Sequence, residues 1–324
     1  MNPVPPAMNV LVLGATGFVG RSVCERLVER SGGAGGRIRV ATRQVMRARH
    51  LQLLPTVEVA TGDVHDDAAL ALMLRDTDAV INLVAILHGS EAAFERVHVR
   101  LPERLAAACK AAGVRRIVHI SALGAAADAP SRYLRSKARG EAVLKASGLD
   151  VTVLRPSVIF GERDRFLNLF ATLQSVFPIM PLAGATARFQ PVWVEDVASA
   201  VVRALDDAST IGTTIECVGP RQYTLKELVE AAGEWSGSRR PVFGLPAALG
   251  RLQAFAMELL PGEPLMSRDN LDSMKLDNVA SGKLPGLDRL GIEPTPLESV
   301  APRYLGHVSG EARLEAWRSR AGRD

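Results

Sequence analysis

The residues best suited to acid–base chemistry are Tyr133 and Lys137, which lie four positions apart in the run YLRSK. Side chains at this spacing share one face of a helix. Because an ammonium beside a phenol favours the tyrosinate, the pair predicts a Tyr133 pKa lowered from about 10 towards the working pH. Ser121 lies twelve residues upstream and is expected to hydrogen-bond the carbonyl or hydroxyl that Tyr133 protonates. These three side chains form the candidate catalytic set.

A glycine-rich segment, GATGFVG, follows the first apolar run and opens a helical pattern. Glycines allow a tight turn and close backbone approach to a pyrophosphate, and the helix N-terminus adds free N–H donors. The alternative is an ordinary strand-to-helix turn, but the flanking strand and helix favour a dinucleotide site. The residues expected to contact the nucleotide here are Gly14, Thr16, Gly17, Phe18, Val19 and Gly20.

The second apolar run ends at Arg43, and Arg47 follows one helical turn later. NAD-selective sites usually carry Asp or Glu at this point to hold the ribose 2′-hydroxyl, whereas a guanidinium suits a 2′-phosphate. The alternative is that both arginines are solvated surface residues. The sequence therefore favours NADP(H) over NAD(H) as the cofactor.

Further candidates for nucleotide binding follow other strands of the predicted sheet, because open α/β sheets bind ligands at the carboxyl ends of their strands. Asp63 is placed to accept from the adenine amino group, although it could instead cap the following helix. Tyr133 and Lys137 are expected to contact the nucleotide as well. The remaining candidates are Val64, Leu83, Val84, Ala85, Pro156, Ser157 and Val158.

Short apolar runs alternate with helical patterns through the first half of the chain. The predicted strands are Asn9–Leu13, Arg37–Thr42, Val57–Thr61, Ala79–Leu83, Arg116–Ile120 and Val151–Leu154. The helices predicted between them include Val19–Glu29, Asp67–Leu74, Phe94–Ala112 and Arg132–Ala146. Strands that are nearly continuously apolar and alternate with helices predict βαβ crossovers and a buried parallel sheet. The expected fold class is α/β, a doubly wound parallel Rossmann sheet with a small C-terminal cap domain.

The same pattern predicts how the chain divides. Residues 1–160 form the expected NADP(H)-binding domain, with 190–219 folding back onto it. Prolines interrupt the rest, so 161–189 and 220–305 are expected to build the substrate or cap domain. Residues 306–324 read as a polar tail.

Composition excludes several classes of function. Of 324 residues, 47% are apolar and 23% charged, a balance typical of globular rather than disordered chains. A net charge of +4 without a Lys/Arg stripe argues against nucleic acid as a partner. Six histidines without ligand spacing predict no metal site.

The expected compartment is the cytoplasm. Three widely separated cysteines form no CxxC pair and no disulfide framework, which indicates a reducing environment. Residues 1–8 lack the cationic start and cleavage site of a secretory signal. No apolar stretch reaches the roughly 18 residues needed to cross a bilayer, so no integral membrane segment is expected.

Taken together, these motifs and the run RPSVIFG at Arg155–Gly161 resemble the atypical or extended short-chain dehydrogenase/reductases of the NAD-dependent epimerase/dehydratase superfamily. Four further stretches resemble the NADPH-binding accessory subunit of respiratory complex I and its bacterial relatives. They are Ser131–Glu141, Val158–Leu169, Gln190–Val197 and Val218–Leu225. In that subfamily the nucleotide is generally regarded as structural, bound and not turned over.

The resemblance implies two functions of different classes. In the first, the chain is an oxidoreductase acting on a carbonyl or hydroxyl group, with Tyr133 as acid/base, Lys137 on the nicotinamide ribose and Ser121 orienting the substrate. In the second, it is a non-catalytic, nucleotide-holding subunit that docks on a respiratory NADH:quinone oxidoreductase, peripheral to the inner membrane. The apolar stretch Leu245–Leu260 would then supply a docking surface, although a cap helix explains it equally well.

Sugar-nucleotide epimerases and dehydratases are a further alternative. They usually open with GGxGFxG and carry an acidic residue after the second strand. This chain has neither feature, because it opens with GATGFVG and has Arg43 after the second predicted strand.

Overall fold

A computed structural model describes residues 7–33, 35–259 and 264–306. The predicted polar tail lies outside these ranges apart from its first residue. The strands, numbered in chain order, are β1 (Val10–Leu13), β2 (Ile38–Thr42), β3 (Val57–Thr61), β4 (Ala79–Asn82), β5 (Arg116–Ile120), β6 (Asp150–Pro156), β7 (Ile159–Phe160), β8 (Met180–Leu182), β9 (Arg188–Phe189), β10 (Val192–Trp193), β11 (Thr214–Cys217), β12 (Tyr223–Thr224) and β13 (Val242–Gly244). The helices are α1 (Phe18–Arg30), α2 (Asp67–Met73), α3 (Glu91–Phe94), α4 (Leu101–Ala112), α5 (Arg132–Lys145), α6 (Leu167–Val176), α7 (Val194–Asp206), α8 (Leu225–Trp235), α9 (Ala247–Glu258), α10 (Arg268–Ser273) and α11 (Leu297–Leu305).

The central sheet has seven described strands in the order β11-β6-β5-β4-β1-β2-β3. All of its neighbouring pairs are parallel. Because the chain runs from β1 to β3 in one direction and then returns to place β4 on the other side of β1, the order reverses between β1 and β4. Such a reversal is the topological switch point at which doubly wound sheets bind dinucleotides. The predicted α/β Rossmann class is confirmed.

The described chain forms two compact units. The first comprises residues 7–156, 194–217 and 280–293, and the second comprises 157–193, 218–279 and 294–306. The sequence assigned 280–293 to the cap, whereas in the structure this segment bonds to β11. The Glu216 N–H donates to Pro285 O at 2.9 Å, and the Ser281 N–H donates to the buried Glu216 carboxylate at 2.8 Å. Nothing in the composition of residues 280–293 indicates that this segment returns to the first unit. The functional division into nucleotide and substrate domains stays a prediction.

The second unit has its own core, built by α6, α8 and α11. Its largest buried side chains include Phe160, Phe170 and Phe189. Three short strand pairs complete it, with β7 and β8 parallel to β10 and β13 and with β9 antiparallel to β12.

The helix predicted over Phe94–Ala112 is broken in the structure. Between α3 and α4, residues Glu95–Arg100 form a π-helical segment in which the Leu101 N–H donates to Arg96 O, five residues back. Pro102 has no N–H for the His98 carbonyl, so the α-helical pattern cannot continue there. This segment also packs tightly on α5, where a Cβ on Gly140 would lie 2.0 Å from His98 O. The widened turn is therefore set by one proline and one close contact.

Helix α5 carries Tyr133 and Lys137 and is held to β6 by a buried ion pair. The Arg155 guanidinium donates to both Glu141 oxygens, at 2.8 and 2.7 Å. The Glu141 side chain is 3% exposed and the Arg155 side chain 19% exposed. A two-pronged pair of this kind fixes orientation as well as distance. Through Arg155, the RPSVIFG run therefore holds α5 in position, although α5 precedes this run in the chain.

We expect Glu141→Gln to lower the free energy of unfolding by about 3–5 kcal/mol, because Arg155 is left buried without its carboxylate. Urea denaturation measures the change. The matched control is Glu103→Gln, whose partner Arg100 is 63% exposed and whose loss should cost less than about 1 kcal/mol. Equal effects of the two substitutions would contradict the role given to the buried pair.

Candidate functional site

A cleft of about 660 Å³ opens in the first unit at the carboxyl ends of β1, β2, β3 and β4. This is the position expected of a ligand site in a doubly wound sheet. Of the residues predicted to bind a nucleotide, the cleft is lined by Gly14, Thr16, Arg43, Arg47, Asp63, Val64, Val84 and Ala85.

The turn between β1 and α1 has room for backbone only. Gly14 has φ +83°, and a Cβ on it would lie 3.0 Å from the Leu83 carbonyl carbon at the end of β4. A Cβ on Gly20 would lie 2.4 Å from Ala15 Cα. Gly17, by contrast, has an ordinary φ of −82° and would bring its Cβ 3.2 Å from Gly14 O. Packing therefore requires glycine at positions 14 and 20. No comparably close contact requires glycine at position 17, so this residue is available for ligand binding.

The N-terminus of α1 is open to an anion. Gly17 is its N-cap, no described side chain caps the helix, and its first turn carries no acidic residue. The first N–H groups of a helix have no partner within the helix and attract negative charge. Phe18 and Val19 lie in this first turn, although they do not line the cleft itself.

Arg43 is held at the edge of the cleft by a local turn. The Thr42 hydroxyl accepts from the Gln44 N–H at 3.1 Å and donates to Gln44 O at 3.0 Å, which closes the backbone around Arg43. Arg47 follows in a short 3₁₀ turn, Val45–Ala48. Both arginines are exposed and line the cleft.

Asp63 faces the cleft and does not cap the following helix. The N-cap of α2 is Asp66, whose carboxylate accepts from the Ala69 N–H at 2.8 Å. One Asp63 oxygen accepts from the His65 N–H at 3.0 Å, and the other lies 3.7 Å from the Arg96 guanidinium. This removes the capping alternative that the sequence left open.

Arg96 is a cleft residue that the sequence reasoning missed. It stands in the π-helical segment, and Ala92, Ala93 and Val97 beside it form the same wall. Burial, followed by the charge of Arg96, lowers the pKa of His65. Within the described chain, Asp63 is the one carboxylate among the lining residues, so positive charge dominates the cleft. No sequence signal marks Arg96, because an arginine in a helical pattern is ordinarily a solvated surface residue.

The loop after β4 is pinned at both ends. Asn82 accepts from the Val84 N–H at 3.2 Å, and the Ile86 N–H donates to Nε2 of buried His98 at 3.1 Å. Leu83 contacts Gly14 rather than the cleft. The backbone of this loop therefore holds one wall of the site in place.

Ser121, Tyr133 and Lys137 stand at the end of β5 and on the first turns of α5. The Ser121 hydroxyl is buried and has no hydrogen-bond partner within the described part of the chain. Lys137 is 2% exposed and donates from Nζ to the carbonyl of Ile120, the residue before Ser121, at 2.8 Å. A buried hydroxyl without a partner costs about 1–3 kcal/mol. A substrate or cofactor oxygen would supply the missing partner.

The predicted pKa shift of Tyr133 is wrong in direction. Burial raises the pKa of the phenol to about 12. Burial also lowers the pKa of Lys137 to about 8, although Glu141 favours its charged form. Desolvation alone accounts for this shift of the Tyr133 pKa, and no attraction to Lys137 offsets it. At neutral pH the phenol is protonated.

Pro156, the last residue of β6, and the two residues that follow it lie apart from the cleft lining. Pro156 O accepts from the Leu123 N–H at 2.9 Å, continuing the pairing of β5 and β6. The Ser157 hydroxyl and the Val158 N–H both donate to the Asn278 side-chain oxygen, at 2.6 and 3.1 Å, within the second unit. The contacts of these three residues therefore fix the path of the backbone after β5 and β6.

Two groups of charged residues have structural partners. Asp164, between Arg163 and Arg165, accepts from the Leu167 N–H at 2.7 Å and from the Tyr304 hydroxyl at 2.7 Å, so it stabilises the start of α6. Glu195 and Asp196 lie in the first turn of α7. Among residues 7–33, 35–259 and 264–306, no cluster of three or more potential metal ligands occurs. Over the same ranges, no helix combines the length and hydropathy of a membrane span.

Comparisons with known proteins agree with this geometry. A family model described as NAD(P)H-binding matches residues 14–208. Subunit 9 of the NADH dehydrogenase (ubiquinone) 1 alpha subcomplex of mouse mitochondria is 34% identical over 294 residues, covering 89% of this chain and 77% of the mouse protein. Ceramide reductase of Caulobacter vibrioides is 30% identical over 241 residues and matches 73% of each chain.

Among solved structures, an NADPH-dependent quinone oxidoreductase of Escherichia coli complexed with NADPH superposes with a TM-score of 0.73 at 24% identity, covering 90% of this chain and 98% of that one. At this level of identity the likeness establishes the fold.

Proposed function

Because the chain belongs to the NAD(P)H-binding family of atypical short-chain dehydrogenase/reductases, and within it to the group that includes subunit 9 of mitochondrial NADH dehydrogenase, we propose that it holds NADP(H) in the cleft of its first unit. The observation that carries the proposal is the open N-terminus of α1 at the switch point of the sheet, beside Arg43 and Arg47. Backbone N–H groups there suit a pyrophosphate, and the arginines suit a 2′-phosphate.

The remaining lining residues fit the other parts of the nucleotide. Asp63 offers a carboxylate oxygen to the adenine amino group, with the Arg96 guanidinium 3.7 Å from its other oxygen. Val84 and Ala85 face the ribose. The orphaned hydroxyl of Ser121 and the buried Lys137 stand beyond the end of β5, where the nicotinamide half would need polar partners.

The favoured activity is reduction of a carbonyl group. Bound NADP(H) would supply the hydride. Tyr133 would donate a proton to the carbonyl oxygen, and Ser121 would donate a hydrogen bond to the same atom. A phenol whose pKa is raised to about 12 is protonated at neutral pH, which is the state required for donation. Proton abstraction from an alcohol would need the tyrosinate, which burial disfavours.

The second candidate function is docking on a respiratory NADH:quinone oxidoreductase as a nucleotide-holding subunit. The observation in its favour is the outer face of α9, where Leu249, Leu252 and Phe255 are 52%, 62% and 43% exposed. Leu259, which follows the helix, is 70% exposed. These positions recur at helical spacing on one face, and exposed apolar faces of this kind mark interaction surfaces. The curated relative from mouse is named as a subunit of such an enzyme.

Cofactor preference rests on Arg43. A charge-assisted hydrogen bond contributes about 1.5–3 kcal/mol, so NADPH should bind about 10- to 100-fold more tightly than NADH. Arg43→Glu places a like charge against the phosphate and should swing the preference towards NADH, less so at high salt. Fluorescence titration of both nucleotides at two salt concentrations measures this.

Two variants control that titration. Arg49→Glu makes the same charge change at an exposed residue that does not line the cleft, and it should leave the preference unaltered. Gly17→Val should lose both nucleotides, because its side chain occupies the approach of the pyrophosphate. If the wild type binds NADPH and NADH with equal affinity, the proposed role of Arg43 is wrong.

Turnover rests on Tyr133. Tyr133→Phe should lower the rate of NADPH consumption by about 10²–10⁴-fold with a carbonyl substrate, the usual contribution of a general acid. NADPH affinity should not change, which fluorescence titration checks. A panel of aldehydes and ketones, long-chain ones included, provides the substrates. If the wild type consumes no NADPH with any of them, the docking function is favoured.

Docking rests on the α9 face. In detergent-solubilised membranes the protein should comigrate with the quinone oxidoreductase on native gels, identified by antibodies to its core subunits. Leu252→Lys combined with Phe255→Lys should abolish comigration while NADPH still binds. Leu53→Lys is the matched control, since Leu53 is 87% exposed but lies in the first unit. Comigration that survives the double substitution would assign docking to another surface.

A further inference from the structure

His98 connects the nucleotide cleft to the catalytic helix. It is 3% exposed and sits in the π-helical segment between α3 and α4. Its Nε2 accepts from the Ile86 N–H at 3.1 Å. Ile86 belongs to the pinned loop after β4 and lines the cleft. One nitrogen of this imidazole is therefore bonded directly to a wall of the proposed nucleotide site.

The second nitrogen reaches Tyr133. Because Nε2 accepts a hydrogen bond, a neutral ring carries its proton on Nδ1 and donates to the Ser136 hydroxyl at 2.8 Å. The Ser136 hydroxyl in turn donates to the Tyr133 carbonyl at 2.7 Å. Burial and the charge of Lys137 lower the pKa of His98 to about 3, so the ring stays neutral and keeps this direction.

Ring contacts reinforce the same connection. The His98 ring meets the Tyr133 ring edge-on, with centroids 5.6 Å apart and planes at 77°. It stacks on Phe94 at 5.5 Å, and Phe94 meets Tyr133 at 6.1 Å. Gly140 lets α5 approach the His98 carbonyl with no space for a Cβ. In a close-packed cluster of this kind, a shift of one ring displaces its neighbours.

We propose that His98 is a positioning residue that transmits occupancy of the nucleotide cleft to Tyr133, through the chain Ile86–His98–Ser136–Tyr133. The inference rests on the proposed nucleotide function and adds to it a regulation of the same site. Nucleotide bound against the loop after β4 displaces the Ile86 N–H, and the hydrogen bonds of His98 carry this displacement to the first turn of α5. Coupling between two sites is reciprocal, so an occupant beside Tyr133 also tightens nucleotide binding.

His119 offers a matched comparison. It is also 3% exposed and lies close enough to Lys137 for the ammonium to lower its pKa further below the value that burial sets. Its Nδ1, however, hydrogen-bonds the Asn82 amide at 3.2 Å, on the neighbouring strand β4. A general effect of removing a buried histidine should appear at both positions, whereas transmission should depend on His98.

Fluorine NMR of protein labelled with 3-fluorotyrosine tests the inference. The chain has three tyrosines, so the spectrum is simple, and Tyr133→Phe assigns the relevant resonance. The probe is adenosine 2′,5′-bisphosphate, which carries the adenine half of NADP(H) and lacks the nicotinamide. Because Tyr133 does not line the cleft, a shift of its resonance on adding this probe reports transmission and not contact.

In the wild type we expect the Tyr133 resonance to shift on saturation with the bisphosphate. The shift should be lost in His98→Phe, which keeps a ring but no nitrogen, and in Ser136→Ala, which removes the middle link and leaves the ring cluster in place. His98→Gln can accept from Ile86 and donate to Ser136, so it should restore part of the shift. His119→Gln keeps an acceptor for the amide of Asn82, which pins the same loop, so this variant should retain the full shift.

The unfavourable outcomes are distinguishable. If calorimetry shows that the folded wild type does not bind the bisphosphate, both the proposed nucleotide function and this inference are wrong. If the bisphosphate binds but the Tyr133 resonance does not move, only the transmission is overturned. The same holds if the shift persists in both His98→Phe and Ser136→Ala, or is lost equally in His119→Gln.

Discussion

The candidate nucleotide site depends on how closely β1, its glycine turn and the end of β4 can pack. Gly14 lies against the Leu83 carbonyl, and Gly20 lies against Ala15, with distances that leave no space for a Cβ at either position. This packing brings the N-terminus of α1 to the point where the strand order reverses. Everything else in the cleft is arranged around that point, from the arginine turn after β2 to the pinned loop after β4. A larger residue at Gly14 or Gly20 would separate the elements that form the site.

Desolvation controls the chemistry of the Tyr133–Lys137 pair. Both side chains stand on a helix that a buried ion pair and a glycine contact hold against its neighbours. In that environment the ammonium donates to a backbone carbonyl, and the phenol keeps its proton. The protonated phenol on α5 and the Ser121 hydroxyl at the end of β5, which has no hydrogen-bond partner among the described residues, are both able to donate to a carbonyl oxygen. The same arrangement is equally compatible with a nucleotide that is bound and not consumed, so it supports both proposed functions.

The relatives of this chain include both kinds of protein. One is named as a subunit of mitochondrial NADH dehydrogenase, and another as a ceramide reductase. The candidate nucleotide cleft lies within the first unit, whereas the exposed face of α9 belongs to the second. The two functions therefore draw on different surfaces. A single ancestral nucleotide-binding unit can serve either, because function resides in sites added to a shared fold.

The sequence by itself determined the fold class, the family and most of the residues at the strand ends, because apolar strands and glycine turns are local patterns with local causes. The resemblance to the complex I accessory subunit group is confirmed by the comparisons. Tertiary structure alone decided the rest. Arg96, His98 and the return of residues 280–293 become significant only through contacts between distant segments. The Tyr133 pKa was predicted in the wrong direction because i,i+4 spacing specifies only that two residues share a helix face, whereas burial, a property of the whole fold, decides in which direction the pKa of the phenol moves.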